Sequence, residues 1–301
     1  MTGSSSDSSR GPAPARSDSS RAPAPARSER LRLGAVGYLN ARPLVYGLDR
    51  SPRFDVRYDL PSECARLLHA HEIDVGLIPS IEYLRGSRPY GIVPGPAVIS
   101  HGPVASVAIY TTRWIGDVRS IALDTSSRTS VALVSVLCAR LFKIQPRLEP
   151  RGPDLDDMLA HCDAALIIGD NALFLDVNAR GGRRVEKIDL GESWNTLTGL
   201  PFVYAFWAAW PHVITPADGD ALQRARDDGV AHLDDVARAY LPDSPGRQAV
   251  AGKYLRHNIQ YSLGGEELEG LRTFYVYATE LGLVSYDGTM NFYHAEHHPA
   301  V

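Results

Sequence analysis

From Leu31 onward, short apolar runs alternate with amphipathic stretches, and the change of period between them predicts an α/β chain. Leu31 to Val36 and Phe54 to Tyr58 read as strands, Ser62 to His71 as a helix with Ala65, Leu67 and Leu68 inward, and Asp74 to Ile78 as another strand. A second set begins near Val107, with strand Ser120 to Leu123, helix Thr129 to Phe142, and strands Ala164 to Ile168 and Arg184 to Ile188. After Pro201 comes the apolar run FVYAFWAAW, then three helical stretches, roughly Pro216 to Tyr240, Pro245 to Asn258 and Glu266 to Leu281. The chain leaves the first sheet near Ser106 and returns near Phe202, so two extended crossings join two lobes: residues 31–105 with 204–301, and residues 106–203. Such an arrangement places a ligand cleft between the lobes and lets them close by hinge motion at the crossings.

The first thirty residues break this pattern. Ser6 to Arg16 reads SDSSRGPAPAR, and Ser17 to Arg27 repeats it as SDSSRAPAPAR, a tract with almost nothing to bury that is expected to be a disordered, solvated leader. It has no apolar run of signal-peptide length, and no later stretch is apolar enough to span a bilayer, so a cytoplasmic protein is expected. Across 301 residues, 31 Lys and Arg nearly balance 35 Asp and Glu, which argues against nucleic acid as a partner. With 44% hydrophobic residues a sizeable core is available, and at about 150 residues per domain the length suggests two domains. Cys64, Cys138 and Cys162 are too far apart for a close-spaced metal knuckle and odd in number, which points to a reducing compartment.

Polar residues gather where strands end, the place where open α/β sheets bind ligands. In GYLNARPL (37–44), Gly37 suits a tight turn, Pro43 the first position of a helix, and Asn40 either a helix cap or an amide facing a ligand; spacing alone favours the cap. In the turn after Asp124, the hydroxyls of Thr125, Ser126, Ser127, Thr129 and Ser130 crowd a helix start. One cap needs one hydroxyl, so the surplus favours a bound carboxylate, although the glycines and lysine of a phosphate loop are absent. Ser80 and Asp170 stand where each could cap the helix that follows. Ser106, a hydroxyl in an apolar strand at the crossing, must find a partner or face the cleft. Common nucleophile-elbow, zinc-protease and dinucleotide motifs are missing, so neither metal nor cofactor is expected. His294, His297 and His298 have loosely ligand-like spacing, but at a polar C-terminus fraying or adventitious metal binding is the stronger reading. These residues lead to a two-lobed protein that binds a small anion, as a receptor or as an enzyme.

Six stretches in order, GYLNARPL (37–44), DVGLIPSIEYL (74–84), GPVASV (102–107), SSRTSVAL (126–133), ALIIGDNAL (165–173) and DLGESWNTLTGLPFVYAFWAAW (189–210), resemble the MqnA family, the chorismate dehydratases of menaquinone biosynthesis by the futalosine route. The resemblance implies a type II periplasmic-binding-protein-like fold working in the cytoplasm, and a lyase that removes water from chorismate to give 3-[(1-carboxyvinyl)oxy]benzoate without a cofactor. It also implies catalytic roles for Asn40 and Ser106, a carboxylate cradle of Ser126, Thr129 and Ser130, and substrate contacts from Tyr38, Ser80, Gly169 and Asp170. Chorismate is then the partner, with neither nucleic acid nor membrane, and the protein a monomer or homodimer. The sister family, 1,4-dihydroxy-6-naphthoate synthase, shares the fold but relies on a cleft histidine that the stretch LIIGDNAL lacks here. A solute receptor is the remaining alternative, against which the missing export signal counts. With no histidine in the matched motifs, the base is either Asp170 or the enolpyruvyl carboxylate of chorismate itself, and the second is preferred because another negative charge beside two substrate carboxylates is costly.

Overall fold

A computed structural model describes residues 30–87, 89–177 and 184–293. The leader, apart from Arg30, and the three C-terminal histidines lie outside the described residues. The chain runs through β1 (Leu31–Val36), β2 (Phe54–Asp59), α1 (Pro61–His69), β3 (Val75–Pro79) and β4 (Gly91–Ser100). It continues through β5 (Val107–Thr111), β6 (Ser120–Asp124), α2 (Arg128–Leu137), β7 (Arg147–Arg151), α3 (Leu155–His161), β8 (Ala164–Ile168), α4 (Gly169–Leu173), β9 (Glu186–Asp189) and α5 (Leu190–Thr198). The last part comprises β10 (Phe202–Ala209), α6 (Pro216–Ala231), α7 (Leu233–Tyr240), α8 (Pro245–His257), β11 (Gln260–Ser262) and α9 (Gly265–Glu280).

These strands form two sheets, in the orders β11-β4-β10-β3-β1-β2 and β7-β6-β8-β5-β9. In the first, β1 lies parallel to β2 and β3, while β10 is antiparallel to both β3 and β4. In the second, β6 is parallel to β7 and β8, and β5 is antiparallel to β8 and β9. Interior strands β3, β8 and β10 are buried at every position, because both their faces are covered and water never reaches a side chain. Edge strand β2 alternates instead, with Phe54 inside and Asp55 and Arg57 outside. One apolar cluster runs from Leu33, Leu77 and Phe206 of the first sheet to Ile109, Ile121 and Leu166 of the second.

Three elements depart from the sequence expectations. The stretch 216–240 is two helices rather than one, broken at His232, and the helix expected to run to Phe142 turns π-helical from Cys138. The segment after β1 is a 3₁₀ helix, Leu39–Val45, with Pro43 inside it rather than at its first position.

The two sheets meet through the first turn of α2. Its Arg128 reaches Glu82 of the 3₁₀ segment Ser80–Arg85 at 3.0 Å, and the Ile81 N–H donates to Thr129 Oγ1 at 3.1 Å. The Ser62 N–H donates to the Ser126 carbonyl at 2.9 Å, and the Leu39 N–H donates to Asp170 Oδ1 at 3.1 Å. Burial pushes the fully enclosed Glu82 carboxyl upward, but His69, Arg85 and Arg128 overcome it and hold the group below the ordinary glutamate value.

A carboxyl depressed in the folded state adds stability above its unfolded value of about 4.3 and loses it as pH falls through the folded value. The stability gap between wild type and Glu82→Gln is therefore expected to be widest near neutrality and to narrow as the pH drops below about 4. Thermal melts of both proteins between acid and neutral pH measure it. A gap that does not change with pH would remove Glu82 from the joint between the sheets.

Candidate active site

Between the two sheets lies a narrow cleft. One wall is Val36, Tyr38, Asn40, Pro79 and Tyr204; the other is Val107, Ser127, Ser130, Ile168 and Gly169. The ends of β1, β3 and β8 all open onto it, which follows the rule that ligands sit beyond the carboxyl ends of parallel strands. Among the described residues that line it, none is charged. An anion held there must therefore be met by amides, hydroxyls and a helix dipole rather than by an ion pair.

The start of α2 supplies such donors. Ser127 caps the helix, its Oγ accepting from the Ser130 N–H at 3.4 Å and from the Ser130 hydroxyl at 3.1 Å. The N–H groups of the first turn have no intrahelical carbonyl to bond, and the macrodipole adds a partial positive charge at the same end. An anionic group at the Ser127 and Ser130 face of the cleft gains from both.

Tyr38 closes the cleft on one side. Its hydroxyl is 3.2 Å from Ser126 Oγ, which in turn donates to Asp124 Oδ1 at 2.6 Å. Burial raises the Tyr38 phenol above its ordinary value, only partly offset by Ser126, so it stays protonated and able to donate. Gly169 faces the Tyr38 ring with φ 63°, and a methyl placed on it would lie 2.8 Å from that ring. Only glycine combines that backbone with so close an approach.

Behind the lining stands a polar layer. Ser106 is buried, its Oγ 2.7 Å from the Tyr254 hydroxyl, and the Asn40 amide is near enough to Tyr254 to offset slightly the burial that raises its phenol. Asp170 is held from two sides, by the Leu39 N–H on Oδ1 and by the Tyr240 hydroxyl on Oδ2. Burial raises the Asp170 carboxyl, with Tyr240, Leu39 and Arg42 drawing it back in part.

The residues singled out in the sequence thus divide. Tyr38, Asn40, Ser130 and Gly169 line the cleft; Ser126 binds Tyr38 from the side; Ser106 lies one residue behind the lining Val107. Ser80 and Thr129 do not line it: the Ser80 hydroxyl donates to the Val203 carbonyl at 2.8 Å, and Thr129 accepts from Ile81. Neither Asn40, Ser80 nor Asp170 caps its helix, since Asn40 is the second residue of its 3₁₀ segment, the Ser80 segment has no side-chain cap, and Asp170 is spent on Leu39 and Tyr240. Tyr204, in the lining with its hydroxyl 3.2 Å from Ser100 Oγ, escaped the sequence reading, as did Tyr240 and Tyr254. A hydroxyl in the run FVYAFWAAW was the one available signal for Tyr204. Cys64, Cys138 and Cys162 are buried and free, and burial pushes the Cys64 and Cys138 thiols up to about 12, too high for either to act as a nucleophile.

Thr129 and Ser130 are adjacent yet predict different phenotypes. Thr129→Val strands a buried Ile81 N–H and is expected to cost about 1–3 kcal/mol of stability with little change in ligand affinity. Ser130→Ala removes the hydroxyl that fixes Ser127 Oγ at the cleft and is expected to cost less stability than Thr129→Val while weakening binding of a carboxylate ligand by tenfold or more, at about 1.5–3 kcal/mol for a hydrogen bond to a charged group. Melting curves and titration calorimetry separate the two; equal effects of both variants on affinity would place Thr129 at the ligand.

A family model described as menaquinone biosynthesis matches residues 31–280. The chorismate dehydratase of Thermus thermophilus is 33% identical over 268 residues, covering 83% of this chain and 95% of that protein. Among solved structures, a structural-genomics target from Archaeoglobus fulgidus aligns with a TM-score of 0.68 at 16% identity, covering 86% of this chain and 100% of that one. The periplasmic aliphatic sulphonate binding protein of Escherichia coli aligns with a TM-score of 0.58 at 15% identity, covering 86% and 94%. These two share the fold, that of the periplasmic binding proteins.

Proposed function

The chain belongs to the menaquinone-biosynthesis family that includes chorismate dehydratase, and from that membership we propose that it is itself a chorismate dehydratase, a hydro-lyase converting chorismate to 3-[(1-carboxyvinyl)oxy]benzoate. The observation that carries the reading is the identity with the Thermus enzyme over nearly that protein's whole length. The cleft supports it, being lined by uncharged donors suited to carboxylates and by apolar groups suited to a ring.

In this reaction a proton leaves the ring carbon that bears the enolpyruvyl ether, hydroxide leaves the neighbouring carbon, and the two combine as water. Aromaticity of the product supplies the driving force. The protein must hold the substrate in the reactive geometry, exclude bulk water and assist the departing hydroxyl. One substrate carboxylate sits at the start of α2, on Ser127, whose oxygen Ser130 holds in place, and the unbonded N–H groups of the first turn. Asn40 faces the ring from the lining of the cleft, and Ser106 supports the leaving group from the polar layer behind Val107. The enolpyruvyl carboxylate takes the ring proton. Asp170 is poorly placed for that task, since its two oxygens already accept from Leu39 and Tyr240 and it does not line the cleft.

We place the protein in the cytoplasm. Its three thiols suit a reducing compartment, and among the described residues no helix is long and apolar enough to cross a membrane.

Incubating the purified protein with chorismate tests the function. The expected result is a product lighter by one water with the absorbance of a substituted benzoate. Chorismate bound and recovered unchanged would instead make the protein a solute receptor, and formation of a dihydroxynaphthoate from the later pathway intermediate would assign it to the sister family.

A further inference from the structure

Asn40 and Ser106 come from distant parts of the chain, one from the segment after β1 and the other from the crossing into β5. Nothing local holds them in register. The element between them is α8, whose Tyr254 is fully buried and ends in a hydroxyl 2.7 Å from Ser106 Oγ, with the Asn40 amide near enough to act on its phenol. One turn further on, Asn258 Nδ2 donates to the Pro103 carbonyl at 2.8 Å, so α8 grips the crossing segment at both its ends. From the other side, the Asp189 carboxylate accepts from the N–H groups of Val104 and Ala105, at 3.0 and 2.6 Å. Ala105 is held between them with φ 64°, a left-handed backbone that an alanine adopts only when its surroundings impose it. Ser106 is thus presented by a clamped piece of chain, and the atom that fixes the direction of its hydroxyl is the Tyr254 oxygen.

Resting on the dehydratase reading above, we propose that Tyr254 is the positioning residue of the reaction: its phenol accepts from the Asn40 amide and donates to Ser106 Oγ, which aims the Ser106 proton into the cleft at the departing hydroxyl. A phenol has one proton to give, so donation to Ser106 leaves the serine proton free for another acceptor. Burial holds Tyr254 well above the ordinary tyrosine value, which keeps that proton on the phenol through the neutral range. The chain of donors runs in one direction, from Asn40 through Tyr254 to Ser106, and each bond polarises the next. Tyr254 touches no substrate in this arrangement and acts through its two neighbours.

Tyr254→Phe keeps the ring and removes the hydroxyl. Its kcat for chorismate is expected to fall by about tenfold or more with KM within about threefold of wild type, because the loss falls on an interaction made in the transition state. In a Ser106→Ala background the same change is expected to cost less than about threefold, since coupled residues are not additive. A purely structural tyrosine would lower both backgrounds alike. The inference is overturned if Tyr254→Phe keeps wild-type kcat, if KM alone rises, or if the two substitutions are additive. A wild type that fails to dehydrate chorismate overturns the functional reading, and this inference with it; an active wild type with an unaffected Tyr254→Phe overturns this inference alone.

Discussion

Replacing Asn40 or Ser106 by alanine is expected to lower chorismate turnover by about two to three orders of magnitude while the protein keeps its fold, the scale seen when one preorganised donor is taken from a developing negative charge. The reason lies in where these groups sit. The leaving hydroxide carries charge only in the transition state, and a cleft lined by no charged residue has only fixed dipoles with which to meet it. Low polarity around the donors makes each of them count for more than it would in water. Asn40→Ala opens a gap in the lining, and Ser106→Ala leaves the Tyr254 phenol without its hydrogen-bond partner, so both are expected to act on kcat more than on KM. Steady-state kinetics with chorismate, alongside melting curves, measure this. A folded Asn40→Ala variant with turnover within threefold of wild type would detach Asn40 from the chemistry.

The second large effect concerns a residue far from any ligand. Gly229 of α6 packs on the backbone of Pro43, and a methyl group added there would fall inside the van der Waals surface of the Pro43 carbonyl. No rotamer relieves a contact between a Cβ and a carbonyl oxygen, so either α6 or the 39–45 segment must move. Overpacking of this kind costs about 3 kcal/mol, at the upper end of the usual range. For a folded region of this size Gly229→Ala is therefore expected to melt several degrees lower, at about 2–4 °C per kcal/mol. Because the same segment carries Asn40, kcat is expected to fall as well. Calorimetry and kinetics on one preparation test both effects; unchanged melting would show that the segment yields freely and is not what places Asn40.

Part of this was legible in the chain. β8 and β10 coincide with uninterrupted apolar runs, because a strand covered on both faces has no polar position to show. β4 was not legible: its stretch GIVPGPAVIS carries two prolines and two glycines, and the structure accommodates them with Gly95 at φ 101° and breaks in register against β10. The hydroxyl turn before α2 was recognisable as unusual, yet which hydroxyl faces the cleft depends on partners remote in sequence. Thr129 meets Ile81, Ser80 meets Val203, and Asp170 meets Leu39 and Tyr240, contacts that no local pattern encodes. Tyr254 sits in PGRQAVAGKYLRH, a helix with little amphipathic contrast, and its bond to Ser106 spans 148 residues. The motifs mark the cleft, whereas the partners that hold Asn40 and Ser106 are fixed by tertiary packing.

On the proposed mechanism the cleft removes water from chorismate without a side-chain base. Asp170 is the carboxylate nearest to contradicting it, its carboxyl raised by burial above the ordinary aspartate value. An asparagine in its place can still accept from the Leu39 N–H and hydrogen-bond with Tyr240, so Asp170→Asn preserves the local geometry while removing the basic group. The decisive measurement is the turnover number of Asp170→Asn with saturating chorismate. Turnover within about tenfold of wild type is the predicted result, well short of the loss expected when a general base is removed. A folded variant that binds chorismate and shows no turnover would contradict the account and make Asp170 the base.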